Sequence, residues 1–178
     1  MTNNSNLRRT VLCGILAACC GFLPACGKED QQTSTQNQVV IGFSQIGSES
    51  AWSTANSQSI KEEAAKRGID LRFNDGQNQQ ENQISALRSF IKQKVDVIIV
   101  SPETTTGWTE VLKEAKAAGI PVILSGREVD VDDQTLYATF VGSDFVEEGK
   151  NAARWFIENT TGDVKVFELQ GTAGASCA

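Results

Sequence analysis

From Val39 onward, short apolar runs alternate with longer stretches in which apolar residues recur every three or four positions. The runs Val39–Phe43, Val95–Val100 and Val122–Leu124 are rich in β-branched residues and short, as expected of parallel strands buried on both faces; the first is expected to reach Ser44. Ile69–Phe73 and Tyr137–Val141 complete the set. Between them the periodicity predicts helices over about Trp52–Lys66, Gln79–Lys92, Gly107–Ala117 and Phe145–Glu158. Ile84, Leu87 and Ile91 form one stripe on the second helix, and Val111, Leu112 and Ala115 form another on the third. Gly68, and Gly119 ahead of Pro121, stand where helices are commonly terminated. Trp108 and Trp155 fall on apolar helix faces and are expected in the core. Strand and helix alternating with short connections predict an α/β fold with a doubly wound parallel sheet and right-handed crossovers. Val164–Leu169 reads as one more strand, followed by a loop where the next crossover would begin.

The residues before Val39 follow a different pattern. Arg8 and Arg9 precede the mostly apolar run Val11–Ala25, too short to span a membrane and suited to the apolar region of an export signal. Leu23-Pro24-Ala25-Cys26, followed by Gly27 and charged residues, reads as a lipoprotein cleavage site, with Cys26 as the lipidated N-terminus. Leu16-Ala17-Ala18-Cys19 is the alternative, and an ordinary cleaved signal with an incidental cysteine is a third reading. Residues 27–38, polar and without periodicity, read as a tether. The predicted organisation is a signal over 1–25, a tether over 26–38, a sheet-and-helix lobe over 39–162, and over 163–178 the first strand of a second lobe. The expected location is the periplasm or cell envelope, on a lipid anchor.

Composition narrows the chemistry. The net charge is −6 with no histidine, which argues against nucleic acid and anionic membrane surfaces as partners. It also removes histidine-dependent catalysis and the usual zinc sites. After Cys26 only Cys177 remains, so the exported domain must rely on its core rather than on an internal disulfide. The segment Ile41–Trp52 runs from an apolar strand into a polar, glycine-bearing turn that delivers Glu49 and Trp52 together. In open α/β sheets ligands sit at the carboxyl ends of strands, where this turn falls. A polyol needs an aromatic face for its C–H surface and polar groups for its hydroxyls. Each candidate has a plainer reading: Glu49 as a solvated turn carboxylate, Trp52 as core packing, Arg127 as a surface partner of Glu128 or Asp130, and Asp144 as the cap of the helix starting at Phe145. Asp75-Gly76 is a turn signal first.

Four stretches carry a resemblance: Gly42–Ser50 with Trp52; Asp75-Gly76-Gln77 with Glu81-Asn82-Gln83; Gly107-Trp108 through Lys113–Lys116; and Glu168–Thr172. On these the chain resembles the periplasmic sugar-binding proteins of ABC importers, of the ribose- and galactose-binding type and in particular the galactofuranose-binding branch. The resemblance covers about the first half of a family member, whose two lobes clamp a sugar between them. It implies a non-catalytic solute-binding role with no cofactor or metal, a monosaccharide ligand, and a membrane permease as partner. Glu49, Ser53, Gly126 and Arg127 are implied to be sugar-site residues. The galactofuranose pattern has an arginine where this chain has Ser53 and an aspartate where it has Gly126. Arg127 keeps the expected type, with a planar fork suited to adjacent hydroxyls. Asp144 is a further candidate by its position after the fifth strand. A lobe without its second wall is expected to bind weakly. The alternative function is a sensor lobe reporting a sugar or small signal molecule to a membrane receptor. An enzyme is disfavoured, since the chain has neither a dinucleotide fingerprint nor a phosphate loop.

Overall fold

The computed structural model describes residues 38–48 and 50–177 of the chain. Cys19, Cys26 and the predicted signal and tether up to residue 37 lie outside the described residues, as does Glu49. Five parallel strands form one sheet: β1 (Val40–Gln45), β2 (Asp70–Asp75), β3 (Val97–Val100), β4 (Val122–Ser125) and β5 (Thr139–Val141), in the order β2-β1-β3-β4-β5. The helices between and after them are α1 (Ala51–Lys66), α2 (Gln80–Gln93), α3 (Thr109–Ala117) and α4 (Phe145–Asn159). This is the predicted doubly wound arrangement, with every helix and all five sheet strands within a few residues of their expected limits. Gly68 and Gly119 follow α1 and α3 with φ of +67° and +72°, the left-handed conformation that glycine adopts without a Cβ penalty. Lys94 does the same work after α2 at φ +55°.

Successive strand residues point to opposite faces of the sheet, and the two faces are covered differently. On one, Gly42 lies under the ring of Phe90 from α2, and α2 and α3 close over Leu87, Ile98, Val100, Leu112, Val122 and Leu124. Trp108, at the start of α3, is fully buried there and donates its indole N–H to the Thr104 carbonyl at 2.7 Å. On the other, Phe43 packs against Phe73 with ring centroids 5.7 Å apart, and the Lys61 ammonium of α1 stands 3.7 Å above the Phe73 ring, a cation–π geometry. The buried positions of α1 are Ser53, Ser57 and Ala64, so this face is joined to the sheet by hydrogen bonds more than by apolar bulk.

Two expectations fail towards the C-terminus. Val164–Leu169 forms no strand: Phe167 and Leu169 are 97% and 99% exposed. A strand exists only through its ladder, and no described strand pairs with this stretch. Trp155, expected in the core, is 58% exposed, and α4 buries none of its residues. Its apolar stripe meets no covering element among the described residues. Beyond Leu169 the chain returns to the lobe. The Thr105 amide donates to the Gly174 carbonyl at 2.8 Å, the Glu128 amide donates to Ser176 Oγ at 2.9 Å, and Ala175 is buried.

Candidate ligand cleft

The sheet's strand order reverses around β1, and the loops leaving the carboxyl ends of β1, β4 and β5 meet there with the first turns of α1. They enclose a cavity of about 500 Å³. Ile46, Trp52, Ser53 and Asn56 line it from the β1–α1 side, Ser125, Gly126 and Arg127 from the loop after β4, and Val141, Ser143 and Phe145 from the loop after β5; Cys177 reaches it from the chain's far end. A larger hollow of about 730 Å³ runs beside edge strand β2 and along α2, from Leu71 to Gln93. It contains none of the predicted site residues.

The β1–α1 turn is built by polar side chains. Ser50 caps α1: its Oγ accepts from the Ser53 amide at 3.0 Å and donates to Ser53 Oγ at 2.8 Å. An N-cap of this kind satisfies one of the helix's free amides and sets the angle at which the helix starts. Gln45, at the end of β1 and 1% exposed, ties that start to the sheet. Its amide group donates to the Ser53 carbonyl, Asn56 Oδ1 and Ser57 Oγ at 3.3, 3.0 and 3.1 Å, and its Oε1 accepts from the Ile46 amide at 3.0 Å. Ser53 is thereby held buried at the cavity wall, one residue past Trp52.

Trp52 is 55% exposed, which sets aside its reading as core packing. Its indole lies across Gly126, where an added Cβ would stand 2.6 Å from Trp52 Cη2. Gly126 has φ +76° and donates its amide to the Val141 carbonyl at 2.8 Å. Glycine here serves two ends at once: the left-handed turn that aims the next residue into the cavity, and the space the indole occupies. Arg127 follows with its side chain 19% exposed, and Nη1 donates to the Glu103 carbonyl at 2.9 Å. Its charged neighbour is the Glu103 carboxylate, 3.9 Å away, rather than Glu128 or Asp130. Asp144 does not line the cavity. Its Oδ1 accepts from the Glu147 amide at 2.9 Å, so it caps α4 as in its plainer reading. Thus Trp52, Ser53, Gly126 and Arg127 come together in one cleft and Asp144 stands just outside it. Among the described residues no group of three or more Asp, Glu, Cys or His side chains could hold a metal.

Residues 41–178 match the family model described as periplasmic binding protein domain. The chain belongs to that family. It is 52% identical to the galactofuranose-binding protein YtfQ of Escherichia coli (strain K12) over 141 residues, which cover 79% of this chain and 44% of that protein. It is 34% identical to the fructose import binding protein FruE of Bifidobacterium longum (strain NCC 2705), over 91% of this chain and 49% of the relative. Among solved structures, it is similar to the periplasmic binding protein of the arabinose ABC transporter from Shewanella sp. ANA-3, bound to α- and β-L-arabinofuranose. There the TM-score is 0.75 and the identity 53%, covering 79% of this chain and 46% of the other. The chain spans about half the length of the curated relatives it matches.

Within this periplasmic binding protein domain, sequence reasoning missed Gln45, Glu103 and Phe145. Gln45 had a signal: an amide inside a run whose alternation requires burial needs several partners. Glu103 follows Ser101-Pro102 just past the end of β3, another strand end at which ligands gather in such sheets. Phe145 reads as the first residue of a helix, and only the position of the loop after β5 turns its ring to the cavity.

Proposed function

We propose that this chain is the first sugar-binding lobe of an extracytoplasmic solute-binding lipoprotein. In this reading it holds a monosaccharide at the carboxyl ends of β1, β4 and β5 for delivery to the membrane permease of an ABC-type importer. The observation that carries the reading is the half-exposed Trp52 indole laid across Gly126 beside Arg127. An apolar ring face next to a forked donor is the pairing a small polyol requires, the ring for its C–H surface and the guanidinium for adjacent hydroxyls. Phe145 adds a second aromatic surface, and Ser53 and Asn56 add short polar groups. Family membership and relatives named for galactofuranose, fructose and arabinose support the same assignment.

Glu49 belongs to this proposal as a further hydroxyl acceptor, three positions before Trp52 in the sequence. Asp144 enters it as the cap that orients Phe145. Cys26 is proposed as the lipidated residue that anchors the protein in the cell envelope after cleavage of residues 1–25, with 26–38 as tether, 39–162 as the lobe and 163–178 as the start of a second one.

Calorimetry with D-galactofuranose, L-arabinose, D-fructose and D-ribose is the test. We expect saturable binding of at least one of them, without turnover, and a loss of roughly tenfold in affinity on Trp52→Ala or Arg127→Ala. Absence of saturable binding across the panel, or affinity unchanged in both variants, would overturn the reading.

A further inference from the structure

The carboxylate of Glu103 is the unexplained group of the cleft. Its side chain is 10% exposed and Oε2 is buried without a hydrogen-bond partner. A buried carboxylate oxygen left unpaired is costly, and it is compensated only where a cation stands close enough to offset the charge. The cation here is Arg127, whose Nη1 lies 3.9 Å from Oε2 and donates to Glu103's own carbonyl at 2.9 Å. The carboxylate's position is not accidental. Gln83, fully buried on α2, accepts the Glu103 amide on Oε1 at 2.9 Å and donates from Nε2 to the Ser101 carbonyl at 2.7 Å. Ser101 Oγ in turn donates to the Ser125 carbonyl at 2.8 Å, two residues before Arg127. The loops after β3 and β4 are therefore locked together, with Glu103 behind the guanidinium.

We infer that Glu103 is the positioning residue for Arg127. Its carbonyl takes one arm of the fork and its buried carboxylate holds the guanidinium charge against the back of the cleft. The remaining N–H groups, which have no protein partner among the described residues, are left to face the cavity. Arginine suits this division because its planar donors keep a fixed geometry, so fixing one arm orients the others. The carboxylate acts on a ligand only through Arg127. It lies outside the cavity lining and makes no contact with sugar of its own.

The proposal rests on the sugar-binding reading only for its effect on affinity, and the test separates the two. The Arg127 Nε–Hε group is expected to show the high {¹H}–¹⁵N heteronuclear NOE of a rigid side chain, compared with that of Arg72, whose side chain is 49% exposed. In Glu103→Gln, which keeps size and polarity while removing the charge, that NOE should fall. Binding of whichever sugar the wild type takes should weaken roughly tenfold. In an Arg127→Met background the same Glu103→Gln change should leave sugar affinity within about twofold, because the residue through which it acts is gone. Equal losses in both backgrounds would mark Glu103 as merely structural and overturn the proposal, as would an Arg127 NOE unaffected by Glu103→Gln. If no sugar binds the wild type, the function fails while the NMR comparison still decides the pairing. If Glu103→Gln does not fold, the wild-type NOE decides it alone: an Arg127 value as low as that of Arg72 contradicts the proposal.

Discussion

Helices α3 and α4 are both amphipathic, and they end in opposite circumstances. The start and inner face of α3 place Trp108, Val111, Leu112 and Ala115 at 0–1% exposure, against α2 and the sheet. The apolar side chains of α4 stand open, Val146 at 68%, Trp155 at 58% and Ile157 at 79%. An amphipathic pattern states that a face needs cover; it does not say what provides it. For α3 the cover is local, because α2, β3 and β4 are its neighbours in sequence. For α4 no described residue supplies it.

The largest effect that tests this contrast is at the two tryptophans. Trp108→Ala removes a fully buried indole and should cost about 3–5 kcal/mol, whereas Trp155→Ala should change stability by no more than about 0.5 kcal/mol. Urea unfolding of both variants measures the difference, and equal losses would erase the distinction between the helices. Next comes self-association. An uncovered apolar stripe favours contact between copies, so sedimentation should show concentration-dependent association that Trp155→Glu reduces. An unchanged profile would mean that the stripe of α4 is not what associates. A smaller effect is expected at the cap of α4. Asp144→Ala removes a side-chain acceptor worth about 1 kcal/mol. That loss should appear as faster amide exchange within α4 while the global unfolding midpoint hardly moves. A matching drop in global stability would place α4 inside the cooperative unit.

The smallest effect belongs to pH, and it lies on the α3 side. The Arg88 guanidinium, hydrogen-bonded to Glu114 across α2 and α3, holds that carboxyl below its usual range, and hydrogen bonds from Thr135 do the same for Asp133. Both folded pKa values are depressed, so the stabilisation is fully present above the unfolded carboxylate values near about 4. It is lost as pH falls through the lower folded values. Both groups are solvent-exposed, so the slope should be shallow. Arg88→Met should flatten the Glu114 share of it in acid unfolding curves, and an unchanged curve would remove that ion pair from the account.

These contrasts also explain what could be read from residues alone. Buried parallel strands announce themselves by composition, which is why β1, β3 and β4 are legible in Val40–Gln45, Val97–Val100 and Val122–Ser125. Val164–Leu169 also carries β-branched and aromatic residues, Val164, Val166 and Phe167, but has no ladder, since pairing depends on a partner strand. In the cleft, Trp52 was legible from the turn after the first strand, and Ser53, Gly126 and Arg127 from the family resemblance. The partner of Arg127 was not. Glu128 and Asp130 are close in sequence, but the left-handed turn at Gly126 sends the side chain towards Glu103, 24 positions back. Local spacing carries no record of that crossing. Glu103 therefore stayed silent until β3 and β4 were placed side by side.

The central claim, that a monosaccharide occupies the cleft beneath Trp52, is tested most directly by ¹⁵N-resolved NMR of the chain titrated with the sugar panel. The account predicts saturable shifts confined to the Trp52 indole, Ser53, Gly126, the Arg127 side chain and Phe145, with the β2–α2 hollow silent. Shifts in that hollow between Leu71 and Gln93, or none at the cleft for any sugar, would contradict it.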